Sequence, residues 1–538
     1  MPPRLSVYRR ALRLRASTEP PASTGVVTFS RGRGSAPICV DIAARLVRHY
    51  DGDLQIDDDA LALLRAQRAR LDASLASQEG QGPTASSLAP DLWPHQARAA
   101  SWLLCSKRGI LADEQGMGKT ATSLQATLGY ASMVIVCANT KKDDWASEAE
   151  RWTHDNCVVL DGDAEQRQKL IYEWSCIGGY LVCNYDQIVM HDLRAEAWIL
   201  DEAHKVRNRK SQWWQALRKM TQNAAMVIAL TANPTVNDPQ EIWSLLALVD
   251  PDRFRSYWSF VYRFFDISTN GFGIKIDGIK RHEQAALDDL VRPYLFRRER
   301  SDVGGLGVPP VHRSIVRHKM VGMQAQMYAE LAATGTVTYG DHSVETWLPL
   351  QKITRLRQLA ISPKILFPDY DGPSKIDTLL EVVTGESLNF EKGVTAVSQR
   401  PTLVFVMLEM AAQIAVERLL ARCISAVMLS GSQSLVDRRV ALDAFRAGGA
   451  TVLVSTHGTG GEGLNLPTAS RVIYLELAWH PAGNKQAQDR AVRPGQEASD
   501  VEVIVIHTGD SVEDHIMDII REKRRVTWQE IARREGIS

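Results

Sequence analysis

The sequence predicts two doubly wound parallel α/β domains in tandem, joined by a mainly helical insertion and preceded by a small N-terminal accessory unit. Two observations carry this. Between residues 92 and 251, short apolar runs at 133–137, 179–183, 197–200 and 225–230 alternate with amphipathic stretches, and each run suits a strand buried on both faces. The same grammar resumes at 402–406, 426–429, 451–455, 471–475 and 501–506. Strands alternating with helical patterns make a parallel sheet covered by helices. A third observation is compatible with both: 538 residues, 45% hydrophobic and 23% charged, suit about three or four compact units of ordinary globular composition.

Taken in order, the first 36 residues hold seven arginines (Arg4, Arg9, Arg10, Arg13, Arg15, Arg31 and Arg33) against one acid, Glu19. A solvated, partly ordered arm and an auxiliary phosphate-contacting arm both fit that bias. Alternation within 4–15 and 26–29 predicts short strands, and 42–50 and 60–76 have helical periodicity. A Ser/Gly/Pro-rich linker ends this accessory unit, expected over 1–90. The first α/β domain is expected over 91–251 and the aromatic, arginine-rich, mainly helical insertion over 252–375. The second α/β domain follows over 376–510, with a helical tail over 511–538.

The formal net charge is +0, so any nucleic-acid surface must be local. Seven cysteines lie scattered with no Cys-x-x-Cys or Cys/His cluster, which argues against zinc and a disulfide framework. There is no run of 18 apolar residues and no apolar core of signal-peptide length. The expectation is a soluble intracellular chain with no membrane partner.

The densest chemical signal is Gly109-Ile-Leu-Ala-Asp-Glu-Gln-Gly-Met-Gly-Lys-Thr120. Gly116 and Gly118 let a loop turn its N–H groups inward, Lys119 can reach the β/γ-phosphates, and the Thr120 hydroxyl can bind magnesium. Asp113 stands where the strict phosphate-loop pattern has its first glycine. Downstream, Trp198-Ile-Leu-Asp-Glu-Ala-His204 sets two carboxylates at the end of a buried strand, where ligands bind in open α/β sheets. Asp201 is assigned to the magnesium and Glu202 to the attacking water. Alone, that pair would as readily cap a helix.

Leu230-Thr-Ala-Asn-Pro234 is read either as a plain polar turn or as a hydroxyl relay. In the second domain, Ser455-Thr-His-Gly-Thr-Gly-Gly-Glu-Gly-Leu-Asn465 is a glycine-rich loop after a strand. Arg490 and Arg493, three apart, are expected on one helical face, as a solvated pair or as arginine fingers for a γ-phosphate.

These residues together resemble superfamily 2 helicase-like motors, specifically the Swi/Snf branch of double-stranded DNA translocases and remodellers, over roughly 92–520. Leu92-Trp-Pro-His-Gln96 is similar to the family's opening motif, whose glutamine reads adenine. The loop from Asp113 resembles the family's own, which tolerates Asp there. Asp201-Glu-Ala-His204 matches its DEAH box, and 486–496 is similar to its last motif. Arg292-Pro-Tyr-Leu-Phe-Arg-Arg298 with Asp302-Val303 resembles its bracing segment. Leu356-Arg-Gln-Leu359, Pro363, Ser374-Lys375, Leu429-Ser-Gly-Ser432 and Trp479-His-Pro481 extend the match.

The resemblance implies two RecA-like domains that use ATP and Mg²⁺ to move along or remodel duplex DNA. ATP would be held by Gln96, Asp113, Glu114, Gly116, Met117, Gly118, Lys119, Thr120, Gly463 and Asn465, and magnesium by Thr120 and Asp201. Lys119, Glu202, Arg490 and Arg493 would be catalytic. Contacts to DNA would come from Lys141, Lys142, Asn184, Tyr185, Thr456 and His457, with branched or single-stranded DNA as further substrates and any protein partner unspecified. The compact size resembles a bacterial or phage member, cytoplasmic there and nuclear in a eukaryote. Ala232 and Asn233 depart from the Gly and Thr usual in the family, and His457-Gly-Thr replaces small residues. Two other readings stay open: a nucleic-acid clamp with a vestigial ATPase, and an RNA helicase.

Overall fold

A computed structural model describes residues 3–8, 11–16, 20, 28–30, 33–36, 40–51, 53–80, 88–234, 239–269, 274–304, 307–385, 400–460, 466–479, 481–493 and 495–525. The chain divides into two compact units, 1–304 and 305–538.

The first unit is built on a seven-stranded sheet. Its order is Leu295–Phe296, Arg108–Leu111, Met226–Leu230, Ala197–Leu200, Ser132–Cys137, Gly179–Asn184 and Cys157–Val159. Every pairing is parallel. The central strands are buried along their whole length, as β-branched and leucine-rich runs covered on both faces must be. Trp102 and Leu103 of the helix Pro94–Ser106, Leu124 of Lys119–Ala126 and Trp145 of Lys142–Thr153 share one core with Ile135, Val182, Ile199 and Ile228.

Arg108, at the start of its strand, is buried with its guanidinium on the carbonyls of Val249 (2.7 Å), Thr221 (2.9 Å), Leu248 (3.0 Å) and Ala224. Two of these belong to the last turn of the helix Ile242–Val249, whose carbonyls have no partner within the helix.

The N-terminal elements form a five-stranded sheet, ordered Thr28–Ser30, Arg33–Ala36, Ala11–Arg15, Arg4–Tyr8 and Gln55–Ile56, with the helices Val40–His49 and Asp58–Gln78. Leu5, Leu12 and Leu14 pack with Ile42, Leu46 and Leu64. Because side chains alternate along a strand, this burial fixes the register, which sets Arg4 opposite Arg15 and Arg15 opposite Arg33. The far end of Asp58–Gln78 joins the larger sheet's unit. Trp102 Nε1 donates to Ser74 Oγ (2.8 Å), Ser74 Oγ donates to Pro293 O (2.6 Å), and Arg70 pairs with Asp250 at 2.5 Å.

Residues 252–375, expected as one helical insertion, are more varied. They contain the hairpins Phe265–Thr269/Ile274–Ile279 and Thr336–Tyr339/His342–Glu345 and an edge strand for each large sheet, Leu295–Phe296 and Val311–His318. The division between compact units falls inside this stretch. These two edge strands are short or studded with charge, so they carry no continuous apolar run to betray them.

The second unit holds a six-stranded, all-parallel sheet ordered Val311–His318, Val501–Thr508, Arg471–Tyr474, Thr402–Val406, Val452–Thr456 and Ala426–Leu429. Val404, Val454, Ile473 and Ile504 face one core, and Leu403, Phe405, Leu453 and Val472 the other. This two-sided burial is the doubly wound arrangement. The expected tail is a helix, Val512–Arg525, and 526–538 lie outside the described residues. No helix among the described residues is long and apolar enough to cross a membrane.

Candidate functional site

The phosphate-loop residues come together at the end of Arg108–Leu111. Gly116 (φ +78°) and Gly118 (φ +76°) occupy the left-handed region, and Gly118 opens the helix Lys119–Ala126. The left-handed backbone favours glycine at 118, and any side chain there would also push Gln96 aside, since a Cβ would lie 1.9 Å from Gln96 Nε2. Lys119 Nζ donates to the carbonyls of Asp113 (2.7 Å) and Glu114 (3.1 Å), so its charge rests at the loop. Met117 is buried, and its carbonyl lies 3.0 Å from His95 Nε2. Gln96 is buried against this loop, its Oε1 accepting from Trp93 N at 3.0 Å.

Asp113 and Glu114 do not face the centre of the loop. Asp113 pairs with Arg298 at 2.5 Å, and Glu114 Oε2 accepts from Arg300 N at 2.9 Å.

The carboxylate pair follows the buried strand Ala197–Leu200. Asp201 Oδ2 accepts from Trp145 Nε1 (2.9 Å) and Oδ1 from Glu202 N (3.0 Å). Burial first, then the adjacent Glu202 charge, pushes the Asp201 carboxyl up to about 6, while the Trp145 bond and Lys119 pull the other way. Glu202 is a non-glycine residue in the left-handed region (φ +47°), a conformation that costs on the order of 1–2 kcal/mol and tends to persist where function holds it. Its Oε2 lies 3.3 Å from His204 Nδ1, and Thr231 Oγ1 lies 3.4 Å from the same nitrogen. Thr231 Oγ1 also bonds the backbone of Asn233, so the divergent Thr-Ala-Asn turn is ordered and linked to the carboxylates. Hard oxygen donors such as the Thr120 hydroxyl and the Asp201 carboxylate could hold a hydrated Mg²⁺, beside which a carboxyl raised by burial regains its charge.

The expected DNA contacts separate into two groups. Lys142 is buried with Nζ on Leu160 O (2.9 Å) and on Asp161, and the buried Tyr185 hydroxyl donates to Asp201 O. Both side chains are buried within the unit, Lys142 on a backbone carbonyl and Tyr185 on the chain beside Glu202, rather than presented at the surface. Lys141 is half-buried and pairs with Asp144, and Asn184 Nδ2 donates to Asn139 Oδ1 (2.9 Å) while its Oδ1 caps Gln187 N. In the second unit, Thr456 ends its strand, and the His457 ring stacks on Tyr474 with Nε2 3.0 Å from Glu476 O.

The arginines expected on one helical face are not on a helix. The helix Pro481–Gln488 ends before them, Arg490 is buried in the following turn, and Arg493 is half-buried. Gly463 and Asn465 lie outside the described residues.

Sequence reasoning missed three sets of contacts that this geometry supplies. Trp145 orients Asp201. Arg298 and Arg300 grip the phosphate loop. In the second unit, Arg357 bonds the buried Glu476 (3.1 Å) and covers the Trp479 ring. All three join residues far apart in the chain, so no local pattern announces them.

Comparison with known proteins adds independent findings. A family model described as the SNF2-related domain matches residues 95–365, and the helicase conserved C-terminal domain matches 375–495. The chain is 28% identical over 463 residues to the ISWI chromatin-remodeling complex ATPase ISW1 of Saccharomyces cerevisiae, covering 81% of this chain and 40% of that one. It is 27% identical over 459 residues to the mouse (Mus musculus) SWI/SNF-related matrix-associated actin-dependent regulator of chromatin subfamily A member 1, covering 80% and 42%. It thus spans about two fifths of the length of these relatives. A Sulfolobus solfataricus SWI2/SNF2 ATPase core solved with dsDNA aligns at 19% identity and a TM-score of 0.39, covering 82% of this chain and 93% of that one.

Proposed function

The chain belongs to the SNF2-related family, and from that premise we propose that it is a DNA-dependent ATPase that spends ATP to move along or remodel duplex DNA or protein–DNA complexes. The observation that carries this is the meeting, on one parallel sheet, of the Gly116–Gly118 loop with Lys119 and the Asp201–Glu202 pair at the end of a buried strand. The names of the two relatives, a remodelling ATPase and a chromatin regulator, support the same reading.

In this proposal, loop N–H groups and Lys119 bind the triphosphate, and Gln96 lies beside the base. Lys119 must leave the Asp113 and Glu114 carbonyls to do so. Thr120 and Asp201 hold the magnesium, which supplies charge neutralisation to the phosphates. Glu202, steadied by His204, takes the proton of the attacking water.

Backbone contacts from Lys141, Asn184 and Thr456 would be sequence-independent and salt-sensitive. The accessory sheet would add a further phosphate contact through the exposed Arg15, which lies opposite Arg4, itself paired with Asp57 at 2.6 Å. The order of the Thr231 turn and its link to His204 favour a working ATPase over a vestigial one.

The test is ATP turnover by Lys119→Ala with and without duplex DNA. Stimulated hydrolysis should vanish, and its survival would sink the assignment. Wild-type protein that binds DNA without stimulation would favour the clamp, and stimulation by single-stranded RNA but not duplex DNA the RNA helicase.

A further inference from the structure

Asp113 departs from the strict phosphate-loop pattern, and it is also the loop residue most firmly held from elsewhere in the unit. It is 2% exposed and accepts both arms of one guanidinium: Arg298 Nη2 at 2.5 Å and Nε at 3.2 Å. The remaining Arg298 nitrogen donates to His95 O at 2.8 Å, and the guanidinium lies 4.6 Å from the Phe296 ring centre. Such a bidentate, stacked geometry belongs to arginine and not to lysine.

The backbone tells the same story. Leu295–Phe296 pairs with Ile110 and Leu111, and the pairing runs on into the loop. Ala112 N donates to Phe296 O (2.7 Å) and Glu114 N to Arg298 O (3.0 Å). Arg300 completes the grip, with its N–H on Glu114 Oε2 (2.9 Å) and its guanidinium on Gln115 O through Nε (2.9 Å) and Nη2 (2.6 Å). Three consecutive loop residues, Asp113, Glu114 and Gln115, are therefore fixed by a segment 185 residues or so further along the chain. Two of them supply the carbonyls on which Lys119 Nζ rests.

We propose that Arg298 and Arg300 are positioning residues for the triphosphate site. They hold the peptide planes of 113–115 in place, and so fix the loop from which Lys119 turns to meet the phosphates. A glycine at 113 would leave this turn loose, whereas the aspartate transfers its ordering to the clamp. Displacement of 298–300 would pull directly on the loop, since each of its three residues is bonded to that segment. This inference rests on the ATP-site reading above.

The experiment is steady-state ATP hydrolysis by the full chain carrying Arg300→Lys or Arg298→Lys, which keep the charge but lose the paired bonds. A loop no longer organised before binding loses ground-state affinity, so KM for ATP should rise roughly tenfold with kcat within about twofold. Because removing one member of a buried pair endangers the fold, Asp113→Asn/Arg298→Gln serves as a second variant that strips both charges. It should melt as the wild type does and show the same rise in KM.

An unchanged KM in a folded variant overturns the proposal, as does a fall in kcat at constant KM. Lys119→Ala separates the two levels. If it is inactive while the arginine variants match wild type, only the clamp fails. If it remains active, the ATP-site reading fails first.

Discussion

Replacing Asp201 with asparagine should disable the magnesium site yet make the protein more stable at neutral pH when no metal is present. The Asp201 carboxyl is raised from 3.8 to about 6 by burial and by Glu202. A carboxyl whose folded-state value is raised gives stability that is complete below about pH 4 and lost as pH climbs through about 6. At pH 7 the enclosed charge costs about 1.36 kcal/mol per unit over roughly two units, an upper bound of about 3 kcal/mol. Since the residue is only half-buried, the true cost is smaller. Asparagine cannot accept from both Trp145 Nε1 and Glu202 N, and losing one bond returns about 1 kcal/mol. The balance is a variant more stable at pH 7 by up to about 2 kcal/mol, with no advantage at pH 4. Urea unfolding in chelator across pH 4–7 measures it, and magnesium with nucleotide should then stabilise wild type alone. A variant no more stable at pH 7, or a difference that ignores pH, would refute the reasoning.

Four further outcomes follow from the geometry. Gly118→Ala adds a Cβ 1.9 Å from Gln96 Nε2 at a left-handed position, so calorimetry should show ATP affinity at least about tenfold weaker with the fold retained. Ser74→Ala orphans the buried Trp102 Nε1 and should cost about 1–3 kcal/mol in urea unfolding, and a change under about 0.5 kcal/mol would mean the bond is immaterial. Lys142→Met should lower stability while leaving duplex affinity within about twofold, whereas Lys141→Ala should weaken duplex binding in anisotropy titrations; equal effects on DNA would contradict the placement of Lys142. Arg15→Ala should reduce the slope of log affinity against log salt by about one if the accessory sheet touches phosphate, and an unchanged slope removes it from the DNA path.

The phosphate loop, the strand-end carboxylates and nine strands of the two large sheets, eight of them interior, were legible because each is written locally. A run such as Ala197–Leu200 is apolar because helices cover both its faces, and Gly118 is glycine where its own backbone favours it. The edge strand Val311–His318 escaped notice because half its surface meets solvent and its sequence alternates with arginine and histidine. Arg490 and Arg493 were expected on a helix from their spacing alone, but the helix Pro481–Gln488 ends before both of them.

By itself, the sequence determined which atoms could meet a triphosphate, since loop, lysine and carboxylates sit at strand ends that any doubly wound sheet brings to one edge. Only the tertiary structure decided how those atoms are held. Asp113 looked like a flaw in a glycine pattern until Arg298 folded back upon it, and Lys142 looked like a surface charge until Leu160 and Asp161 enclosed it. The reason is physical: a backbone conformation is fixed by neighbours in the chain, but the partner of a buried charge is chosen by the fold.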